Sequence, residues 1–302
     1  MENALEQLAS GSRVAVIRLR SLGDCVLTTP ALAILKQSRP DLQVAVVVED
    51  RFAAVFEGNP DVQFVLPPTM KALGRWRPDL CINLHGGTRS MLLTLGSAAR
   101  MRAGFAHFRG PGIYNLRIPT AQEILGVTRQ VHTAEHLASA MFYLGATVQP
   151  ILRAKLFATR LTRQAPYAVV HAVASSAEKT WDPKKFLLVA QHLRSCGLKP
   201  VFIAGPGEDL STFGEFQCIA GAPLSETKSL LATASLFVGN DSGPAHMAAA
   251  FGVPVAVLYR SSDPIVWAPW QVECRVLTGR DSNSSIETAQ VIEAIDELRV
   301  RQ

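Results

Sequence analysis

The chain reads as short, largely apolar runs alternating with longer segments of helical spacing. Val14–Leu19 (VAVIRL), Val44–Val48, Phe64–Leu66 and Leu80–Leu84 are the runs of the first half. Continuous runs this short predict parallel strands buried on both faces. Helices are expected between them over Cys25–Gln37 (stopped by Pro40), through Phe56, and over Met91–Ala99. Gly104–Pro119 reads as irregular, and His132–Leu144 is a further helix ended by Gly145.

Residues 146–166 lose the pattern and carry two prolines. This predicts a linker at 151–166 between a first domain, 1–150, and a second, 167–284. The alternation restarts there, with strands at Tyr167–His171, Pro200–Ala204, Leu236–Val238 and Pro254–Tyr259. Helices are expected at Pro183–Ser195, Leu224–Ala234 and Ala245–Phe251. An amphipathic helix over Ser285–Arg301 closes the chain (segment 285–302). Strand–helix alternation calls for doubly wound parallel sheets with right-handed crossovers. The fold class is therefore α/β, two Rossmann-like halves with the deepest cleft between them.

Phe237–Tyr259 (FVGNDSGPAHMAAAFGVPVAVLY) is the most organised stretch. A strand breaks into the polar turn Asn240-Asp241-Ser242-Gly243, and a helix of small residues starts at Pro244. Pro suits the first helical position, and Asp241, Ser242 and Gly243 stand where orphan N–H groups need partners. A glycine-bearing turn at a helix N-terminus is either an ordinary capped βαβ turn or an anion site at the carboxyl edge of a sheet.

Three other segments bear on this choice. In RLRSLGDCVLTTPAL (Arg18–Leu32) the first strand delivers Asp24 to a sheet edge, where it either caps the next helix or faces a ligand. In HAVASSAEKTWDP (His171–Pro183) the hydroxyls of Ser175 and Ser176 and the ammonium of Lys179 precede a helix start, a set suited to a diphosphate or to a plain polar loop. In FIAGPGED (Phe202–Asp209) Glu208 follows a strand where ribose hydroxyls are bound in nucleotide folds, although the full G-x-G-x-x-G is absent.

Composition narrows the class. Of 302 residues, 48% are hydrophobic and 18% charged, which describes a globular chain with ample core. No apolar run approaches the ~20 residues of a membrane span, and the N-terminus lacks signal-peptide features, so a cytoplasmic location is expected. The five cysteines show no C-x-x-C pair. With no D-x-D, no H-E-x-x-H and no clustered Cys/His, neither a metal site nor a disulfide framework is supported. The absence of G-x-S-x-G disfavours an α/β-hydrolase. The net charge of +5 comes largely from dispersed arginines rather than a dense basic run. That favours an anionic small molecule or a membrane surface over nucleic acid.

Taken in order, RLRSLGD, TTPAL, HAVASSAEKTW, FIAGPGED, PLSETKSLLATASLFVGND, FVGNDSGPAHMAAAFGVPVAVLY and SSDPIVWAPW resemble glycosyltransferase family 9, the ADP-heptose:lipopolysaccharide heptosyltransferases. The resemblance covers nearly the whole chain. It implies a GT-B fold whose N-terminal domain receives an anionic glycolipid acceptor and whose C-terminal domain holds a nucleotide-sugar, with the closing helix crossing back to the first domain.

It further implies that Asp24 is the base and that Lys179 assists the departing diphosphate, so both enter the catalytic set. Ser175, Ser176, Lys179, Glu208, Asp241, Ser242, Gly243 and His246 match donor-binding positions. Arg18, Arg20, His85 and Arg89 lie on turns of the acceptor half and are candidates for binding its carboxylates or phosphates. The expected reaction is a single inverting displacement without a metal or other cofactor. Peripheral contact with the cytoplasmic face of the inner membrane is part of the same expectation. Arg20 and Arg260 depart from the family's usual small polar residue and glycine, which bears on acceptor and donor-sugar choice. The alternatives are another nucleotide-sugar donor for a different surface glycan, a sugar-nucleotide epimerase of the same fold, and a non-catalytic nucleotide- or glycan-binding protein.

Overall fold

The apolar runs become the centres of two sheets. The structure is a computed structural model that describes residues 3–159, 165–173, 177–279 and 285–300. The chain divides into two units, Met1–Phe157 and Ala158–Gln302. In the first, β1 (Arg13–Ile17), β2 (Gln43–Val47), β3 (Phe64–Leu66), β4 (Leu80–Asn83), β5 (Met101–Phe105) and β6 (Leu116–Ile118) form one parallel sheet in the order β3-β2-β1-β4-β5-β6. In the second, β7 (Tyr167–His171), β8 (Lys199–Ala204), β9 (Gln217–Ala220), β10 (Leu236–Asn240), β11 (Val255–Tyr259) and β12 (Cys274–Thr278) run β12-β11-β10-β7-β8-β9.

Counted from its own first strand, each sheet has the same 3-2-1-4-5-6 order, that of a dinucleotide-binding doubly wound fold. Strand order reverses between β1 and β4 in the first unit and between β7 and β10 in the second. Ile17 pairs with Asn83 at the first reversal, and His171 pairs with Gly239 at the second. Loops leaving the carboxyl ends of these strands diverge and leave a crevice, where open α/β sheets bind ligands.

Two expectations need correction. Gly104–Pro119 is not irregular throughout, because it holds the end of β5 and all of β6. Gly104 sits within β5 because the Tyr114 ring occupies the space a side chain would need: an added Cβ would meet it at 2.5 Å. Strands β9 and β12 were also unanticipated. Both lie at sheet edges and are largely exposed or half-exposed, so neither shows an apolar run.

The helices cover the sheets. α1 (Leu22–Ser38) is buried along most of its length and tolerates Pro30 in its interior. Proline there removes the hydrogen bond to the carbonyl four residues back, and the Thr29 hydroxyl donates to that Val26 carbonyl at 2.9 Å instead. α2 (Met70–Trp76), α3 (Thr88–Gly96), α4 (Ala121–Leu125) and α5 (Thr133–Leu144) complete the first unit, α5 packing on α1.

In the second unit α6 (Pro183–Ser195), α7 (Leu224–Leu231), α8 (Gly243–Phe251) and α9 (Pro264–Trp267) precede the closing α10 (Thr288–Val300). Helix α10 packs on α6, β11 and β12 of its own unit. Its Val291, Ile295 and Leu298 are fully buried in a core with Trp181, Phe186, Val189 and Leu193. At about 1.5–3 kcal/mol for each buried aliphatic side chain, those three residues contribute up to roughly 5–9 kcal/mol to seating α10. Among the described residues no helix is long and apolar enough to cross a membrane.

Candidate active site

The first unit's crevice is lined from β1, α1 and β4. Beyond β1 the chain turns through Arg18–Ser21, and α1 begins with Asp24 in its first turn. Asp24 does cap the helix: one carboxylate oxygen accepts from the Ser21 hydroxyl at 2.9 Å and the Ser21 N–H at 3.3 Å. Its other oxygen is ion-paired to Arg18. Three donors leave about one of a carboxylate's four lone-pair positions open, and 17% of the side chain reaches solvent.

Arg18 is buried, donates to the Leu84 carbonyl, and has an Nε with no hydrogen-bond partner. Burial lowers its pKa to about 10, which still leaves it charged at neutral pH. Arg20 is exposed, and His85 is half-buried. Burial, then the charges of Arg18 and Arg20, hold the His85 imidazole down at about 4, so it is neutral at pH 7. His136 on α5 stacks on Phe105 at 4.0 Å and is also held at about 4, by burial, His107 and Arg18 in that order. Arg89 lies farther out and is paired with Glu49 at 3.2 Å.

The second unit's crevice lies between the loops after β7 and β10. Lys179 ends a short 3-10 turn and reaches Asp241, directly after β10, at 3.3 Å. Lys179 keeps 34% of its side chain exposed and Asp241 11%. The Tyr259 hydroxyl is held by the Trp267 carbonyl and lies against Asp241. Burial, and secondly the Asp241 charge, pushes this phenol well above its usual range. Ser242 is the N-cap of α8, yet its hydroxyl caps nothing and is a buried oxygen without a hydrogen-bond partner. With Gly243 and Pro244 opening the helix, the first-turn N–H groups and this hydroxyl form a site of positive potential for an anion.

Gly239 is required where β10 passes β7, since an added Cβ would come within 2.7 Å of the His171 carbonyl. His246 is buried one turn into α8. Glu208 stands one strand away, after β8, where its carboxylate accepts from the Gly205 N–H at 2.6 Å and closes its own turn. Ser175 and Ser176 lie outside the described residues.

Two asparagines at the reversal points were missed from the sequence. Asn83 ends β4, fully buried. Its Oδ1 accepts from the His85 and Gly86 N–H groups, and its Nδ2 donates to Tyr114 Oη at 2.9 Å and Ser90 Oγ at 3.2 Å. Asn240 ends β10, fully buried. Its Oδ1 accepts from the Trp181 N–H and its Nδ2 donates to the Ala172 carbonyl, both at 2.9 Å, which ties the β7 loop to the β10 turn. The available signal was an amide ending an apolar run in each half (CIN and FVGN). Arg260 adds a tie of its own, donating to the Thr180 carbonyl at 2.7 Å.

Comparison with known proteins settles the family. The model of glycosyltransferase family 9 (heptosyltransferase) matches residues 69–293, about three-quarters of the chain. The chain belongs to glycosyltransferase family 9. Its relatives include lipopolysaccharide heptosyltransferase 3 of Escherichia coli K12, 29% identical in an alignment of 290 residues that covers 83% of this chain and 83% of that one. Among solved structures, the family 9 glycosyltransferase of Veillonella parvula superposes with a TM-score of 0.85 at 22% identity, covering 97% of this chain and 98% of that one. Escherichia coli heptosyltransferase WaaC with ADP gives 0.81 at 21%, covering 95% and 99%. The two doubly wound units are thus those of a GT-B family 9 glycosyltransferase, and the edges described above belong to an enzyme.

Proposed function

We propose that this chain transfers heptose from ADP-heptose to the inner core of a lipopolysaccharide, by a single inverting displacement that uses no metal. The observation that carries the reading is the second unit's edge. There a lysine, an unsatisfied serine hydroxyl and a helix N-terminus converge at the topological reversal of a nucleotide-binding sheet. Relatives named as lipopolysaccharide heptosyltransferases, and a fold neighbour solved with ADP, support the choice of donor and acceptor.

Asp24 takes the proton of the acceptor hydroxyl as its oxygen attacks the anomeric carbon. The bond from that carbon to the diphosphate oxygen breaks, and ADP leaves with the electron pair. Lys179 and the α8 N-terminus stabilise the charge that grows on the departing diphosphate, the work a metal does elsewhere. In this reading Ser175, Ser176, Glu208, Asp241, Ser242, Gly243 and His246 hold the donor. Arg18, with its unmet Nε donor, Arg20, neutral His85 and Arg89 meet the anionic acceptor.

The acceptor's lipid anchor gives the first unit a reason to touch a membrane. Exposed Met70, Leu92 and Leu95 on α2 and α3, with Lys71, Arg75 and Arg89 on the same helices, provide apolar and basic surface for that contact. Salt-sensitive co-sedimentation with anionic vesicles is the expected result, and its absence would remove membrane contact while leaving the reaction intact.

The deciding experiment is calorimetric titration with ADP, UDP, GDP and TDP in EDTA, for the wild type and Lys179→Ala. It is paired with turnover of ADP-heptose on a delipidated inner-core acceptor. Selectivity for ADP that weakens in the variant, with heptose transfer in EDTA, supports the reading. Selectivity for another nucleotide removes ADP-heptose, and binding of none of them overturns the donor assignment.

A further inference from the structure

Outside both edges, three side chains of the metal-binding type meet in the second unit. His192 and Cys196 stand four residues apart at the C-terminal end of α6 and therefore project from one face. Helix α10, packed against α6, brings Asp296 from 104 positions away. His192 Nε2 is 2.9 Å from Asp296 Oδ1 and 3.5 Å from Cys196 Sγ. The three ligand atoms lie within 4.8 Å of one another.

An imidazole–carboxylate hydrogen bond explains the first distance. The Cys196 sulfur stands within hydrogen-bond reach of the same nitrogen, so imidazole, carboxylate and thiol converge on one point. Zinc bonds of about 2.3 Å to sulfur and about 2.0–2.1 Å to nitrogen, at tetrahedral angles, put those ligand atoms about 3.6 Å apart. The sulfur and nitrogen already stand at that separation. The nitrogen and carboxylate oxygen need about 3.3 Å on the same arithmetic, an opening of a few tenths of an ångström.

We propose that His192, Cys196 and Asp296 form a zinc site that fastens the closing helix α10 to α6. One imidazole, one thiolate and one carboxylate suit a borderline-soft ion such as Zn²⁺ and disfavour Mg²⁺ or Ca²⁺, which prefer oxygen alone. His192 and Asp296 keep 23% and 46% of their side chains exposed, so an ion has an entry path and water completes the coordination. On binding, the Cys196 thiol gives its proton to solvent as the sulfur–zinc bond forms, and the neutral imidazole carries its one proton on Nδ1, which frees the Nε2 lone pair for the ion. Thiolate and carboxylate then balance the ion's two charges. Arg299, 3.4 Å from Asp296 Oδ1 and bonded to the Cys196 carbonyl at 3.0 Å, becomes an outer-sphere partner that orients the carboxylate. The cluster stands at the opposite end of the thirteen-residue α6 from the Lys179 loop, about 20 Å along the helix. Its role is to hold structure, independent of the transfer reaction.

Cobalt is the reporting probe. Co²⁺ titrated into the metal-free, full-length reduced protein is expected to give a near-ultraviolet thiolate charge-transfer band and tetrahedral visible bands, displaced by Zn²⁺. Cys196→Ser, which preserves the packing, should abolish the charge-transfer band and weaken Zn²⁺ binding by roughly a hundred-fold, the upper end of what even an outer-sphere partner costs. Asp296→Asn should weaken it less. Zn²⁺ should raise the melting temperature of the wild type and not of Cys196→Ser, with transferase turnover in EDTA equal in both. A wild type that shows no thiolate band, or a band that survives in Cys196→Ser because another cysteine supplies it, would overturn the assignment.

Discussion

The two units share one strand order and place an asparagine at the same point, yet use it differently. Asn83 folds back on the turn that follows its own strand, bonding the His85 and Gly86 N–H groups and anchoring to Tyr114 and Ser90. Asn240 reaches across the reversal to the loop of the neighbouring strand, bonding Trp181 and Ala172. The first arrangement fixes the loop beside Arg18 and Asp24 and ties it to Tyr114 in the β5–β6 connection, on one side of the reversal. The second ties two loops together around the Lys179–Asp241 pair. One topology thus supports an edge with a carboxylate held beside an arginine and an edge with a lysine paired to an aspartate beside a helix N-terminus. The scaffold dictates where a ligand sits, and the few side chains at its reversal point decide which ligand.

The largest effect that separates the two edges is expected from Asp24→Asn. Asparagine keeps a side-chain oxygen that can accept from Ser21, the N-cap of α1, while the proposed base is lost. Turnover should fall about 10³-fold, within the range for general-base catalysis, and calorimetric ADP affinity should stay within about two-fold. A comparable loss of ADP affinity would erase the division of labour.

Asn83→Ala and Asn240→Ala come next. Each strands buried donors or acceptors at about 1–3 kcal/mol apiece, so each should cost about 2–4 kcal/mol in denaturant unfolding. Only Asn240→Ala should also weaken ADP binding, and equal effects on ADP would deny the distinction between the two clamps. Lys179→Ala should weaken ADP by about 10–100-fold, the worth of a charged hydrogen bond, with no change in acceptor binding by the same calorimetry.

Acid distinguishes the units more gently. His85 and His136 in the first and His171 in the second are neutral in the fold, with pKa values lowered to about 4. Unfolded histidine titrates near 6.5, so between about pH 6.5 and 4 the unfolded chain binds more protons. Stability should therefore fall as pH drops through that window. His136→Phe, which keeps the stack on Phe105, should flatten the fall in melting temperature measured against pH. The smallest effect is expected from exposed Arg89→Ala: a few-fold rise in acceptor KM, with ADP affinity and melting temperature unchanged.

Burial accounts for much of how legible each strand was, but buried β5 was also not anticipated, because Arg102 and Gly104 interrupt its apolar run. Central strands such as β1, β7 and β11 are buried on both faces and show as apolar runs. Three of the four edge strands, β6, β9 and β12, hide among polar neighbours because solvent reaches them. At the candidate site, Lys179 and Asp241 were both readable as polar residues just past strands, though their 3.3 Å pairing spans 62 positions. Asn83 and Asn240 were not singled out, because an amide at a strand end looks like an ordinary turn former until its partners are in place.

By itself the sequence determined the α/β class, the two doubly wound halves, the family and the polar turns that hold the candidate chemistry. These rest on local periodicity, on helix-start residues and on motifs met in order. Tertiary structure alone decided that Arg18 pairs with Asp24, that Asn240 ties the β7 loop to the β10 turn, and that Asp296 meets His192 and Cys196. Such contacts join residues through sheet order and helix packing. The energies that fix them depend on burial and on distances of a few ångströms, which no local pattern in the chain encodes.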